Sequence, residues 1–337
     1  MTHKLVTLVL LGCVMIASCY PSVDPLEEQV KLLDRLRAAS DRMRLMEAVL
    51  KAESNEDYDT AINLLTTAIQ VQDDFKEKAS LYASRALVYA VTLRFDQALA
   101  DFGTSLRLDP IQSHVHSSRG KVYGAKGDYD RAFIEFDAAI RLDEKSPLGY
   151  RQRGEVYLKQ REYGKALADF DKAIALHQAY PITTDYPIGH MSRGWTNFYM
   201  EDFPTAITDF RHALEQSKKD PEPVIWLYLA RLRGGQEGMT ELQENARQLN
   251  LQKWPGPVVD HFLGAAAADA IFEALKHSDP KIEKDRRCKA YFYLGQYALA
   301  NNDRSEAVKF FTAALETGMT HSIEYFGARE EFERLKQ

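Results

Sequence analysis

Small, aromatic and polar positions along this chain fall into an order that returns every 34 residues, in windows beginning at Ala79, Ser113 and Pro147. Place eight holds a small residue (Ala86, Gly120, Gly154) and place eleven a tyrosine (Tyr89, Tyr123, Tyr157). Place twenty is alanine (Ala98, Ala132, Ala166) and place twenty-four is phenylalanine (Phe102, Phe136, Phe170). Place twenty-seven is small again (Ser105, Ala139, Ala173). Apolar residues at this spacing predict two helices per window, one after the other. Small side chains at places eight, twenty and twenty-seven let the two helices approach closely, and the aromatics fill the space up to the next pair. The punctuation agrees: Gly127-Asp128-Tyr129 ends one helix and starts another, and Asp109-Pro110 closes a second helix that Pro cannot continue. The expected fold is all-α, a superhelical solenoid of antiparallel helix pairs.

This pattern resembles the tetratricopeptide repeat. Copies with more drift follow: one from Pro187 carries Gly194, Phe203, Ala206, Phe210 and Ala213, after an insertion around Thr183-Thr184-Asp185. One from about Arg42 carries Tyr58, Ala61, Leu65 and Ala68, and one from Cys288 carries Tyr291, Gly295, Ala307, Phe311 and Ala314. Residues 222–233 and 238–249 read as one degenerate helix pair; Trp254-Pro255-Gly256-Pro257 then breaks the run, and residues 258–277 add one or two helices. The expected organisation is tandem repeats over 42–220, a degenerate helical segment over 221–287, and a final repeat with a capping helix over 288–337. Before the repeats, Leu26, Val30, Leu33 and Leu36 form a helical stripe that predicts a capping helix over 26–41. Covering the open end of the solenoid is the expected role; a homodimer contact is the alternative.

At the amino terminus, Lys4 precedes an apolar run from Leu5 to Ala17, the plan of a secretory leader. It ends in Ile16-Ala17-Ser18-Cys19, which resembles the bacterial lipobox. That resemblance implies cleavage of residues 1–18, lipidation of Cys19 and a tether over 19–25. Leu10-Leu11-Gly12-Cys13 is a poorer match, because using it would leave Val14-Met15-Ile16 exposed on the mature chain. By the sorting rule of the resembling lipoproteins, Tyr20 in place of Asp implies the outer membrane, with the body facing the periplasm.

Composition narrows the chemistry. The formal net charge is -6, so no nucleic acid partner is expected. The three cysteines are Cys13, Cys19 and Cys288, which excludes a disulfide framework in a processed chain and a paired-cysteine zinc site. Phosphate-binding loops, nucleophile elbows and His-Glu-x-x-His pairs are absent. His114 and His116 stand two apart and would point to different faces of a helix. We therefore expect no catalytic residue, no metal and no cofactor. Arg recurs at place seven (Arg85, Arg119, Arg153, Arg193) and an acid at place twenty-three (Asp101, Glu135, Asp169, Asp209). Recurrence in four successive copies favours an ion pair between the two helices of each of these repeats over a charged binding strip.

In tetratricopeptide proteins the inner surface is lined by the first helix of each repeat. The resemblance places Arg151, Glu155 and Lys159 there, followed by Met191, Trp195, Phe198 and Tyr199. Of these, Arg151, Glu155, Met191, Trp195, Phe198 and Tyr199 are the candidate partner-binding residues; the competing expectation is that the aromatic set packs against the segment after Asp220. The Lys and Asn that clamp a carboxylate in some family members are replaced by Ala83 and Leu87, and by Ser117 and Lys121. Together with the lipobox, Trp226-Leu227-Tyr228-Leu229-Ala230 and Tyr291-Phe292-Tyr293-Leu294-Gly295 resemble the NlpI-type envelope lipoproteins. That resemblance implies a non-enzymatic outer-membrane adaptor, often dimeric, that brings a periplasmic processing protease to peptidoglycan hydrolases. The alternative is a pilotin or assembly factor for pili, secretins or outer-membrane proteins.

Overall fold

The computed structural model of the chain describes residues 41–180 and 189–336. The leader, Cys19, the tether, the stripe from Leu26 to Leu36 and the Thr183–Asp185 insertion lie outside the described residues. Two compact units divide between Thr67 and Ala68. Helix α1 covers 41–54 and α2 covers Tyr58–Val71; in the first unit Val49, Ala52, Ala61, Ile62 and Leu65 are buried.

The second unit stacks helix pairs. They are α3 (Phe75–Val91) with α4 (Phe95–Leu108), and α5 (Ser113–Ala125) with α6 (Tyr129–Leu142). Next come α7 (Pro147–Lys159) with α8 (Tyr163–Ala179), and α9 (His190–Tyr199) with α10 (Phe203–Gln216). Helix α11 (Pro221–Arg233) follows, packed on α10, and then three short helices: α12 (Met239–Ala246), α13 (Gly256–Phe262) and α14 (Ala268–Ala274). The chain ends in α15 (Pro280–Ala300), α16 (Arg304–Glu316) and α17 (Ile323–Lys336). No strand occurs among the described residues.

The repeated residues do what their size dictates. A Cβ built on Gly120, Gly154, Gly194 or Gly295 would stand 2.6–2.7 Å from the ring of Phe136, Phe170, Phe210 or Phe311 respectively. At these four positions glycine leaves room for the edge of the place-twenty-four ring that a methyl would crowd, whereas the repeat from Ala79 carries Ala86 there. The place-seven arginines close each pair. Arg85 forks onto Asp101 at 2.7 and 2.9 Å, Arg153 onto Asp169 at 2.8 Å, and Arg193 onto Asp209 at 2.6 and 3.1 Å. Arg119 reaches Glu135 at 2.6 Å. Arg153 also bonds Asp137, and Arg193 bonds Asp171, each an acid of the preceding repeat. Such forks fix the register between pairs more than they stabilise it.

Place fifteen carries a further regularity. Leu93, Gly127, Arg161, Glu201 and Asn302 all have positive φ, between 56° and 80°. The next residue then donates its N–H to the carbonyl five positions back: Arg94 to Tyr89, Asp128 to Tyr123, Glu162 to Tyr157, Asp202 to Asn197 and Asp303 to Ala298, at 2.8–2.9 Å. This is the Schellman closure of a helix end.

Beyond α10 the regular stack gives way to a hub. Trp226 on α11 is fully buried, with ring contacts to Trp195, Phe198, Tyr199 and Phe210 from the last regular pair. On its other side are Phe292 and Tyr293 of α15. The final repeat therefore joins the solenoid through α11. Its first helix begins at Pro280, with Asp279 as N-cap accepting from Lys281 N–H at 2.8 Å, about two turns before the repeat spacing places it.

A charged cavity inside the second unit

Place nine supplies one wall of a cavity of about 600 Å³: Leu87 on α3, Lys121 on α5, Glu155 on α7 and Trp195 on α9. Val91, Ala125 and Lys159 add place thirteen from three of these helices. The opposite wall belongs to the far end of the chain: Glu222 on α11, Asp285 and Lys289 on α15, and His321 to Glu324 at the start of α17. Three sets of contacts hold the two ends together. Lys159 Nζ donates to the His321 carbonyl, and Arg161 donates to Glu330 at 2.8 Å. Tyr199 Oη donates to the Ile323 carbonyl at 3.0 Å, and Arg334 donates to the Tyr199 carbonyl. Near the first repeat, Phe95 and His321 meet edge to face at 5.7 Å, and Arg94 lies 3.8 Å from Asp279.

Of the residues expected on the inner surface, Arg151, Glu155, Lys159 and Trp195 line the cavity. Met191, Phe198 and Tyr199 are buried in the core. Helix α11 covers Phe198 and Tyr199 with Trp226, and α17 adds Phe326 against Tyr199, with ring centroids 5.3 Å apart. Repeat spacing puts all of these residues on first helices, but it carries no sign that two later helices cover Phe198 and Tyr199. Lys121, Glu222, Asp285, Lys289 and Glu324 were not among the candidates. Lys121 alone carried a signal, since it shares place nine with Glu155 and Trp195.

The electrostatics are divided by wall. Arg151 pairs with Glu155, which also accepts from Ser192 Oγ at 3.1 Å. Burial pushes the Glu155 carboxyl up, but Arg151, Lys121 and Lys159 outweigh it and hold it below the ordinary range. Burial brings the Lys159 ammonium down to about 8, with Lys121 adding to the depression and Glu155 opposing it. Lys121 is lowered too, by burial first and then by Arg151 and Lys289, with Glu155 opposing. Across the cavity, Asp285 takes His321 Nε2 at 3.2 Å and Lys289 at 3.6 Å, and Tyr293 Oη donates to Glu324 at 3.1 Å. Burial raises Glu222 to about 7; Glu324, Asp220 and Asp285 add to this and Lys289 opposes it. A surplus of cations on α5 and α7 thus faces a surplus of carboxylates on α11, α15 and α17. Among the described residues no group of His, Cys, Asp and Glu is placed to hold a metal ion.

Two stretches match the tetratricopeptide repeat family, residues 84–147 and 147–180. A lipoprotein NlpI homolog of Haemophilus influenzae is 27% identical over 161 residues, which are 47% of this chain and 51% of that protein. The chain spans about half the length of that curated relative. Among solved structures, the Cut9–Hcn1 hetero-tetramer of APC/C aligns with a TM-score of 0.50 and 16% identity, over 87% of this chain and 48% of that one. TTC0263, a thermophilic repeat protein of Thermus thermophilus, gives a TM-score of 0.48 and 21% identity, over 56% of this chain and 97% of that one. The Cut9–Hcn1 likeness, at 16% identity, speaks for the fold alone. Residues 84–180 thus carry tetratricopeptide repeats, with place-eight glycines seated on place-twenty-four rings and repeated Schellman turns, and over about half its length the chain is similar to a lipoprotein NlpI homolog.

Proposed function

We propose that this chain is a non-enzymatic adaptor, held at the periplasmic face of the outer membrane by a lipid on Cys19, that binds other envelope proteins. It links a processing protease to peptidoglycan hydrolases. The observation that carries the reading is the cavity: an inner surface built from the first helices of successive repeats, with charge on both walls and an apolar mouth at Leu87 and Val91. Surfaces of this kind suit polypeptide better than a reactive small molecule, because complementary charge and apolar area recognise without needing a nucleophile or an activated acid. The likeness to a lipoprotein NlpI homolog supports the anchor. Among the described residues no helix is long and apolar enough to cross a membrane.

The test is to tag the chain at its carboxy terminus, extract it with detergent from the bacterium that carries it, and identify co-purifying envelope proteins by mass spectrometry, with Cys19→Ala as control. A processing protease and cell-wall hydrolases are expected, enriched with the wild-type chain and depleted with Cys19→Ala. Secretin, pilus or barrel-assembly proteins without a protease would overturn the protease link. Recovery of nothing above background would remove the adaptor reading.

A further inference from the structure

Two opposite charges line the cavity without a partner. Among the described residues no hydrogen bond or ion pair joins the Lys121 ammonium, which is exposed to the cavity, to another group. The carboxylate that acts on it is Glu155, which Arg151 already holds. On the facing wall the Glu222 carboxylate is in the same situation: none of the described residues bonds it, and the cation that acts on it is Lys289, which Asp285 holds at 3.6 Å. Lys121 and Glu222 form no pair with each other across the space. Burial depresses the Lys121 ammonium and raises Glu222 to about 7, so each charge is kept at a cost that a counter-charge would relieve.

The lining carries four cations and four carboxylates. A ligand of net charge gains on one wall what it loses on the other, so neither a polyanion nor a polyamine suits the space. An uncharged molecule leaves both Lys121 and Glu222 unanswered. The complement is a molecule with one charge of each sign and no net charge. Its charges must stand apart, because Lys121 on α5 and Glu222 on α11 belong to opposite walls. Val156 and Trp195, also on the lining, offer apolar surface to a hydrocarbon spacer between them.

We propose that the cavity is a site for a free small zwitterion, an ω-amino acid whose carboxylate sits on Lys121 and whose ammonium sits on Glu222. The ligand is bound without reaction, and the site is separate from the adaptor reading above. A volume of about 600 Å³ lies in the range of small-molecule sites. Carrying both charges in one molecule makes the second contact intramolecular once the first has formed. Helix α5 belongs to the early repeats and α11 to the hub, so the bound molecule ties the two walls together and stabilises the folded unit by mass action.

The experiment titrates 4-aminobutanoate, 5-aminopentanoate and 6-aminohexanoate into the full chain in detergent micelles, read by calorimetry and by the shift of the thermal melt. For each length the alkanoate lacks the ammonium, and the ω-amino amide lacks the carboxylate. At least one zwitterion should bind tenfold or more tighter than both of its singly charged counterparts and raise the melting midpoint; the tightest fixes the span between the walls. Lys121→Met should remove the advantage over the amide, and Glu222→Gln the advantage over the alkanoate. Lys165→Met, on the outer helix α8, should leave both advantages unchanged. If no zwitterion binds, or none binds tighter than its counterparts, the proposal is overturned without recourse to a variant. A folded Lys121→Met or Glu222→Gln chain that keeps the preference it should lose would overturn it as well. The co-purification experiment above tests the adaptor reading by itself, so the two can fail separately.

Discussion

Place fifteen holds a left-handed residue in the five repeats named above, yet among those five only Gly127 is a glycine, which enters that region without cost. A side chain with a Cβ costs roughly 1–2 kcal/mol there, and glycine gives back part of this through the freedom it has when unfolded. Leu93→Gly should therefore raise stability by about 0.5–1 kcal/mol in urea unfolding; a lower midpoint would show that the Leu93 side chain contributes more by packing than its backbone costs. Place eight behaves in the opposite way. Gly154→Ala puts a methyl 2.6 Å from the Phe170 ring, and should destabilise by about 1–3 kcal/mol. Gly164→Ala on α8, where a Cβ meets nothing within 4 Å, is the matched control and should not lower the midpoint. Both positions are legible in the sequence for different reasons. The glycine at place eight is seen because it recurs, whereas the positive φ at place fifteen is hidden by Leu, Arg and Glu, which give no local hint of it.

Helices within a regular pair touch mainly their partner and the next pair, so damage there stays local. Helix α11 is different, because Trp226 joins aromatics from α9 and α10 to those of α15. Trp226→Ala should cost on the order of 3–5 kcal/mol. Amide exchange measured by mass spectrometry should rise in α15 and α17 while α5 and α6 stay protected. Equal loss of protection in all four would mean that the unit opens as one body. This hub was only partly legible. Residues 222–233 read as a helix, but the repeat template made it one half of a degenerate pair, and α12 is short, at 8 residues. The early start of α15 did have a signal: Asp279-Pro280 is an N-cap followed by proline at the first helical position. The 34-residue repeat itself begins only at Cys288, so the added turns lie outside its pattern.

The cavity belongs to the scale of the whole second unit, since its walls come from residues as far apart as Leu87 and Glu324. No window of sequence contains both, which is why the acidic wall could not be read in advance while the α7 wall could. That acidic wall gives the unit a pH dependence. Below about pH 4 both the folded and unfolded chains keep a proton on Glu222. Between that point and about 7, where burial places Glu222 in the folded chain, only the unfolded chain has released it. Folded stability therefore falls as pH rises through this window, and the cost persists above it. The groups facing Glu222 are Lys289 and Asp285 on α15, Glu324 on α17 and Asp220 ahead of α11. Glu222→Gln should be more stable than wild type at pH 8 by on the order of 2–3 kcal/mol, and indistinguishable from it at pH 4. Parallel thermal-melt profiles across that range would sink the assignment.

The contacts that tie α17 to the ends of α7 and α9 have a mechanical consequence. An open solenoid behaves as a spring, because each repeat can rotate slightly against the next and the small angles add along the axis. Here Arg161, Tyr199 and Arg334 fasten the last coil to an earlier one, so those angles can no longer accumulate independently. The coil becomes a closed loop whose pitch is fixed from both sides. It resists stretching until the fastening gives way, and its bore cannot widen while those contacts hold.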